Sequence, residues 1–304
     1  MCCNFIQLKR VLKLFLPDFF LILITLIKSF IYYKKSKKYN SILHDEKRVI
    51  LIGNGPSLQE TIKEHLDILK NNSCAVVNSF VSTQLFGIIK PKYYLLVDPV
   101  FYLEDNLLEG RVKEIVYTVR DSLLKKVSWP IIFILPQNAK NTKTYDILKS
   151  INNSKFIFFN NNVREDYIPN SKLKYILWNH DAISPLAMNV LNAGLTVFTA
   201  LKVKDIYLVG ADSSWITTYE VDQKNNILYC RDEHFYGVRR IPIYKDSESK
   251  IPSHLHDELK FVSTALYSYW VLKDFADYNG VNIYNSSAYS WIDAFERKSL
   301  DTLR

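Results

Sequence analysis

Four apolar runs in this chain end directly on Asn or Asp: Asn54 after RVILIG, Asn78 after CAVV, Asp98 after YYLLV and Asp212 after DIYLVGA. If the runs are neighbouring parallel strands, those side chains gather at the carboxyl edge of a sheet, where α/β proteins bind their ligands. The first belongs to a turn, Gly53-Asn54-Gly55-Pro56-Ser57. A strand running into a glycine turn and then a helix offers backbone N–H groups to a phosphate. This turn is neither of the common phosphate loops. Leu58 stands where G-x-G-x-x-G needs its third glycine, and no Gly-Lys-Ser/Thr ending follows. Two glycines and an asparagine suit a smaller, less charged phosphate than a dinucleotide or a triphosphate. Asn and Asp also end strands as plain turn formers, so the four positions carry weight as a set and little weight singly.

Groups able to move protons lie further along. Residues 213–256 are long, polar and aromatic with little periodicity, the character of a lid or binding loop. They hold His234, His254 and His256, together with Tyr219, Tyr236, Arg239 and Arg240. Asp232 and Glu233 precede His234, so an acid–base pair there is an open alternative to the later histidines. His180-Asp181 is another such pair, read more simply as the end of a strand. Arg239-Arg240 is read as a solvated charge pair, although a basic lid also suits an anionic donor or a glycan.

The elements that must position these groups alternate. RVILIG (48–53), CAVVNSF (74–80), YYLLVDP (93–99), RVKEIVYTV, WPIIFILP and DIYLVGAD (205–212) read as buried strands. SLQETIKEHLDILKNN (57–72) reads as a helix opened by a capping box, Ser57 with Glu60. ISPLAMNVLNAGLTVFTALKV (183–203) reads as a long helix, and DELKFVSTALYSYWVLKDFADYNG (257–280) as another closed by Gly280. Buried strands without polar alternation, separated by helices, predict an α/β fold with a mostly parallel sheet. No linker divides it, so one domain is expected over 46–304, with its lid at about 213–256.

The net charge of +8 is not spread over that domain. Eight Lys and Arg residues face the single acid Asp18 within the first 40 residues, so +7 of it lies there. That excludes a uniformly basic nucleic-acid-binding surface. The same stretch is apolar: Phe19–Ile27 carries no charge, but Asp18 and Lys28 bracket it and Pro17 breaks its start. It is short for a span of about 20 residues, so residues 11–38 are expected to form a helix lying on a membrane, lysines against anionic headgroups. A single span is the alternative. Either places the protein on the cytoplasmic face of the inner or plasma membrane. The four cysteines have no metal-ligating spacing and read as reduced thiols.

Taken together, Gly53-Asn54-Gly55-Pro56-Ser57-Leu58, Val77-Asn78-Ser79-Phe80, Val97-Asp98-Pro99 and the strand DIYLVGAD resemble the bacterial sialyltransferases of glycosyltransferase family 42. The first and last blocks also resemble the wider 6-hydroxymethylpterin diphosphokinase-like domains. The resemblance covers about 50–100 and 184–290 in scattered blocks. It implies a single Rossmann-like, variant GT-A domain that transfers a sugar, with inversion and without a metal or other cofactor. The donor would be a CMP-activated nonulosonic acid such as sialic acid, and the acceptor a surface glycan or glycolipid. By that resemblance Gly53, Asn54, Gly55, Pro56, Ser57, Asn78, Asp98, Ser184 and Asp212 hold the nucleotide. Tyr219 and Tyr236 neutralise the leaving phosphate. His256 is the general base, with His254 and then His234 as alternatives.

Asp98 stands where the family carries Asn, which leaves room for a ribose hydroxyl contact or for a metal with a nucleoside-diphosphate sugar. The alternative from the wider family is a magnesium-dependent diphosphotransferase with Asp98 and Asp212 as ligands. A non-enzymatic membrane scaffold is a third, disfavoured by the polar groups at the strand ends. No pattern speaks to oligomeric state.

Overall fold

The computed structural model describes residues 46–161, 172–185, 187–234, 237–246 and 251–304. The leader 1–45, with the expected membrane helix, and Tyr236 lie outside the described residues. Among the described residues no helix is long and apolar enough to cross a membrane.

The chain alternates as expected through β1 (Arg48–Ile52), α1 (Leu58–Asn71), β2 (Cys74–Val77), α2 (Leu85–Ile89), β3 (Tyr93–Leu95), α3 (Gly110–Lys126), β4 (Ile131–Pro136), α4 (Lys143–Lys149) and β5 (Ser154–Phe159). It continues through α5 (Lys172–Asn179), α6 (Val190–Ala200) and β6 (Asp205–Val209). A β-rich excursion follows, with β7 (Tyr219–Val221), β8 (Leu228–His234), β9 (Gly237–Pro242), β10 (Tyr244–Asp246) and β11 (Ile251–Pro252). The chain then closes with α7 (Leu255–Asn279), β12 (Asn282–Asn285) and β13 (Glu296–Arg297).

Eight strands form one sheet in the order β13-β12-β6-β1-β2-β3-β4-β5, and every pairing in it is parallel. Both faces are covered. Val49 and Leu51 of β1 pack with Leu195 and Phe198 of α6 and Tyr269 and Leu272 of α7, while Ile50 and Ile52 pack with Leu58 and Leu69 of α1. A strand buried on both sides has no polar face to alternate, so β1 reads as an unbroken apolar run.

Four expectations are corrected. RVKEIVYTV is part of helix α3, not a strand. Its buried residues Val116, Val119, Arg120 and Leu123 recur at helical spacing, a period masked by its β-branched composition. The 183–203 run is helical only from Val190 to Ala200, because Asn189 accepts the Leu191 and Asn192 N–H bonds (2.9 and 3.1 Å) and starts the helix there. The Ser57–Glu60 capping box does not form, because the Ser57 hydroxyl is used elsewhere. The lid 213–256 is built rather than irregular: β7-β8-β9 form one antiparallel sheet and β10-β11 another. Strand β5 has no counterpart among the sequence-level expectations.

One buried cation fastens the segment after β3. Arg120 of α3 donates to Thr144 Oγ1 (2.9 Å) and Asp105 Oδ1 (2.7 Å), and Thr144 in turn donates to the Phe101 carbonyl. Hydrogen bonds from Lys143 and then from Arg120 hold the Asp105 carboxyl down at about 2. A folded-state value below the ordinary 3.8 means stability that is complete above 3.8 and lost as pH falls towards about 2. Arg120→Leu is therefore expected to shrink the fall in stability across the acid range, measured by urea unfolding as a function of pH.

Candidate active site

The strand order places the site. From β1 the chain winds outward through β2, β3, β4 and β5, and then β6 returns to pair with the opposite side of β1. The carboxyl ends of β1 and β6 thus flank a topological switch point, the position where open α/β sheets bind ligands. The turn Gly53–Ser57 and the segment Gly210–Asp212 lie there.

The two segments are locked together. Gly53 N–H donates to the Val209 carbonyl (2.8 Å) and Gly55 N–H to the Gly210 carbonyl (2.9 Å). The Asp212 carboxylate accepts the Ser57 N–H at Oδ1 (3.0 Å) and the Ser57 hydroxyl at Oδ2 (2.8 Å). Asp212 is buried, and burial pushes its carboxyl pKa up, opposed by the Ser57 bonds. The glycines follow from this contact. A Cβ on Gly53 would lie 2.4 Å from the Gly210 carbonyl oxygen, and one on Gly55 1.9 Å from Asp212 Oδ2. Gly210 itself sits at φ +59°, a left-handed conformation that a side chain resists. The Gly53, Gly55 and Ser57 N–H groups are engaged by Val209, Gly210 and Asp212, the Asp212 carboxylate lies at the start of α1, and Pro56 has no N–H.

What the turn presents instead is side chains. Asn54 Nδ2 donates to the Val77 carbonyl (3.4 Å), and its Oδ1 is buried with no partner among the described residues. Asn78 Oδ1 accepts the Val97 N–H (3.4 Å), and the Asn78 carbonyl accepts the Tyr94 hydroxyl. Asn54 thus ties the end of β1 to the end of β2, and Asn78 ties the end of β2 to the segment just past β3. Asn78 has φ +46°, a conformation Asn tolerates better than most residues. Asp98, next along, is exposed and its carboxylate caps the short helical turn 99–102 by accepting the Val100 N–H (3.1 Å).

The other face of the switch point carries a polar cluster with no counterpart among the sequence-level site residues. Asn189 Nδ2 donates to the Tyr269 hydroxyl (3.0 Å), which is also hydrogen-bonded to Ser213. Asn192 is fully buried. Its Oδ1 accepts from the Met188 N–H and the Ser268 hydroxyl (both 3.1 Å), and its Nδ2 has no partner among the described residues. Two asparagines three apart at the head of an otherwise apolar helix were the available signal. Ser213 at φ +48° adds a strained residue beside Asp212.

The remaining candidates divide. Ser184 is buried, and its hydroxyl donates to the Pro185 carbonyl (3.2 Å). Asp181 accepts the Asn160 N–H (2.7 Å) and so ties down the end of β5. The lid leaves the carboxyl end of β6 and returns into α7, whose N-terminus lies at the same edge because α7 leads into the parallel strand β12. His254 is the residue just before α7, and His256, in its first turn, has a side chain 80% exposed. Their rings stack with centroids 5.8 Å apart, and His256 Nε2 lies 3.3 Å from Asp257. The Tyr219 hydroxyl donates to Glu258 on α7 (3.5 Å), and burial together with that carboxylate raises its pKa to about 12. His234 closes β8. Arg240 pairs with Glu220 (2.9 Å) and Asp222 (3.3 Å) across the lid sheet, a structural use of that cation. Among the described residues no three His, Cys, Asp or Glu side chains converge as metal ligands.

No family model and no curated protein matches the chain. Among solved structures it is similar to the MAf glycosyltransferase from Magnetospirillum magneticum AMB-1, at 14% identity and a TM-score of 0.48. The alignment covers 91% of this chain and 38% of that one, so this chain spans well under half the length of that protein.

Proposed function

We propose that this protein is a glycosyltransferase taking its sugar from a nucleotide donor, best a CMP-activated nonulosonic acid, and passing it to a glycan or glycolipid. The observation carrying this is the pair of amides at the strand ends, Asn54 bonded to the Val77 carbonyl and Asn78 to the Val97 N–H, with the Asn54 side-chain Oδ1 left over. Neutral amides that both donate and accept suit a nucleoside and a monophosphate, and a leaving group of low charge can depart without a divalent ion. In an inverting displacement the acceptor oxygen bonds to the anomeric carbon as the carbon–phosphate oxygen bond breaks. The acceptor proton passes to a base, and hydroxyls meet the charge growing on the phosphate. His256 has the exposure for the base, with His254 beside it and His234 the alternative in the lid. Tyr219 stays protonated and able to donate, and Tyr236 is proposed with it from the sequence alone. The basic, apolar leader supports an acceptor held at the cytoplasmic face of a membrane.

Nucleotide binding tests the reading. CMP is expected to raise the melting temperature of the full chain with chelator present, since saturation at about 100-fold over Kd adds about 2.7 kcal/mol. A rise only with ATP and magnesium would instead support the diphosphotransferase, and a rise with a nucleoside diphosphate a different donor. His256→Ala is expected to lower turnover of a CMP-nonulosonate by about 10²–10⁴-fold while leaving the CMP-induced shift intact. Unchanged turnover in that variant removes His256 from the mechanism.

A further inference from the structure

The connection from β12 to β13 is fastened far more densely than a surface loop requires. Ser287 Oγ accepts the Ala211 N–H (3.0 Å), Ser290 Oγ donates to the Ala211 carbonyl (2.6 Å), and Trp291 N–H donates to the Asp212 carbonyl (2.8 Å). The Asn285 amide donates to Ser290 Oγ and to the Ile292 carbonyl (both 3.0 Å), and Arg297 donates to the Ser290 carbonyl (2.6 Å). Ile292 and Phe295 are buried beneath. This rigid loop nevertheless carries two large aromatics outward, Tyr289 at 52% exposure and Trp291 at 39%. Trp291 Nε1 donates to the Tyr289 hydroxyl, and nearby Trp270, 43% exposed, donates to Asp293 (3.1 Å). Both indole N–H groups are therefore satisfied within the protein. What remains for a partner is ring surface, apolar and electron-rich on its faces.

The first half of the same loop has a different character. Ser286, Ser287 and Ala288 line a cleft of about 370 Å³ together with Glu60 and Glu64 of α1 and with Arg297 and Lys298. The volume lies within the range of about 300–1,000 Å³ usual for ligand pockets. Two carboxylates and two cations in one lining do not select a polyanion. Together with serine hydroxyls they suit a neutral polyhydroxylated ligand.

We infer that the loop Ser286–Trp291 is the acceptor subsite, taking pyranose rings of a glycan. A pyranose is the ligand whose needs match both halves. One face of a ring is lined with C–H groups that pack on Tyr289 and Trp291, and the hydroxyls of that ring or of the next one along the glycan meet the carboxylates, cations and serines of the cleft. The subsite is continuous with the switch point, because the amide of Trp291 rests on the backbone of Asp212, the residue that locks the Gly53–Ser57 turn. The word acceptor rests on the proposed transferase function. The binding of a pyranose does not.

Saturation-transfer NMR on the full chain tests it, with the methyl pyranosides of glucose, galactose and N-acetylglucosamine as probes and sorbitol as control. Sorbitol has the hydroxyls but no rigid C–H face. At least one pyranoside is expected to receive saturation on its ring C–H protons while sorbitol does not. Trp291→Ala and Tyr289→Ala, at exposed positions, are each expected to weaken that signal about tenfold, with the melting temperature and the CMP-induced shift unchanged. Equal signals from sorbitol, or signals indifferent to both substitutions, overturn the subsite. So does a Trp291→Ala variant that loses binding to anionic vesicles but keeps its pyranoside signal, since the rings would then face lipid. Pyranoside binding without any nucleotide-induced shift would keep the subsite and sink the transferase reading, so the two fail separately.

Discussion

Gly55→Ala is expected to cost about 3 kcal/mol of stability or more and to abolish any nucleotide-induced shift, because this overpacking has nowhere to relax. The added methyl would lie 1.9 Å from Asp212 Oδ2 and 2.7 Å from the Gly210 carbonyl oxygen. Neither neighbour can retreat. The carboxylate is held by two bonds from Ser57, and the Asp212 carbonyl by the Trp291 N–H. The Gly210 carbonyl accepts the Gly55 N–H itself, from a residue already at φ +59°. Relief therefore means parting the turn from β6, which breaks the contact closing the switch point. Gly87→Ala is the control: its Cβ meets nothing within 4 Å, and it lies inside α2. Alanine there is expected to be neutral or to stabilise by up to about 1 kcal/mol. Urea denaturation of the two variants gives the comparison directly, and equal stabilities would show that the turn can move.

The switch point was legible in part. The apolar runs ending on Asn54, Asn78, Asp98 and Asp212 are strands or strand ends of one parallel sheet, because a strand buried on both faces leaves its composition in the sequence. The use of those ends was less legible. Ser57 and Asp212 lie 155 residues apart, and no local pattern says that one caps the other. The turn therefore read as a phosphate loop with no sign that its Gly53, Gly55 and Ser57 N–H groups bond Val209, Gly210 and Asp212. The same limit hid the lid sheet, where β8 is held by pairings to strands on both sides and by Arg240 reaching Glu220. Helix α3 was misread for the opposite reason: its period is helical, but Val112, Ile115, Val116 and Val119 carry a strand's composition. The pinned loop after β12 left only a cluster of Ser, Tyr and Trp, whose meaning depends on which backbone each hydroxyl reaches.

Asp212 separates what holds the turn from what the turn does. Its folded-state pKa is raised, with burial the larger cause. A raised value means that its contribution to stability is fully present below the ordinary 3.8 and is lost as pH rises through the folded value. At neutral pH the ionised carboxylate is thus a net cost that its two bonds from Ser57 only partly offset. Asp212→Asn keeps an acceptor for the Ser57 N–H and offers an N–H to the Ser57 hydroxyl, which can turn to accept it. That variant is expected to match or exceed the wild type at neutral pH, with its advantage shrinking on acidification. Asp212→Ala leaves the Ser57 N–H without a partner and is expected to cost about 1–3 kcal/mol. Chemical denaturation across neutral and acid pH measures both. If Asp212 serves only to lock the turn, Asp212→Asn retains the CMP-induced shift. If a remaining lone pair of its carboxylate also reaches the nucleotide, the same variant loses the shift while staying folded. Stability and binding then part company in one substitution. A wild type that instead gains stability over Asp212→Asn as pH rises would overturn the burial argument, because the charged form would then be the favoured one.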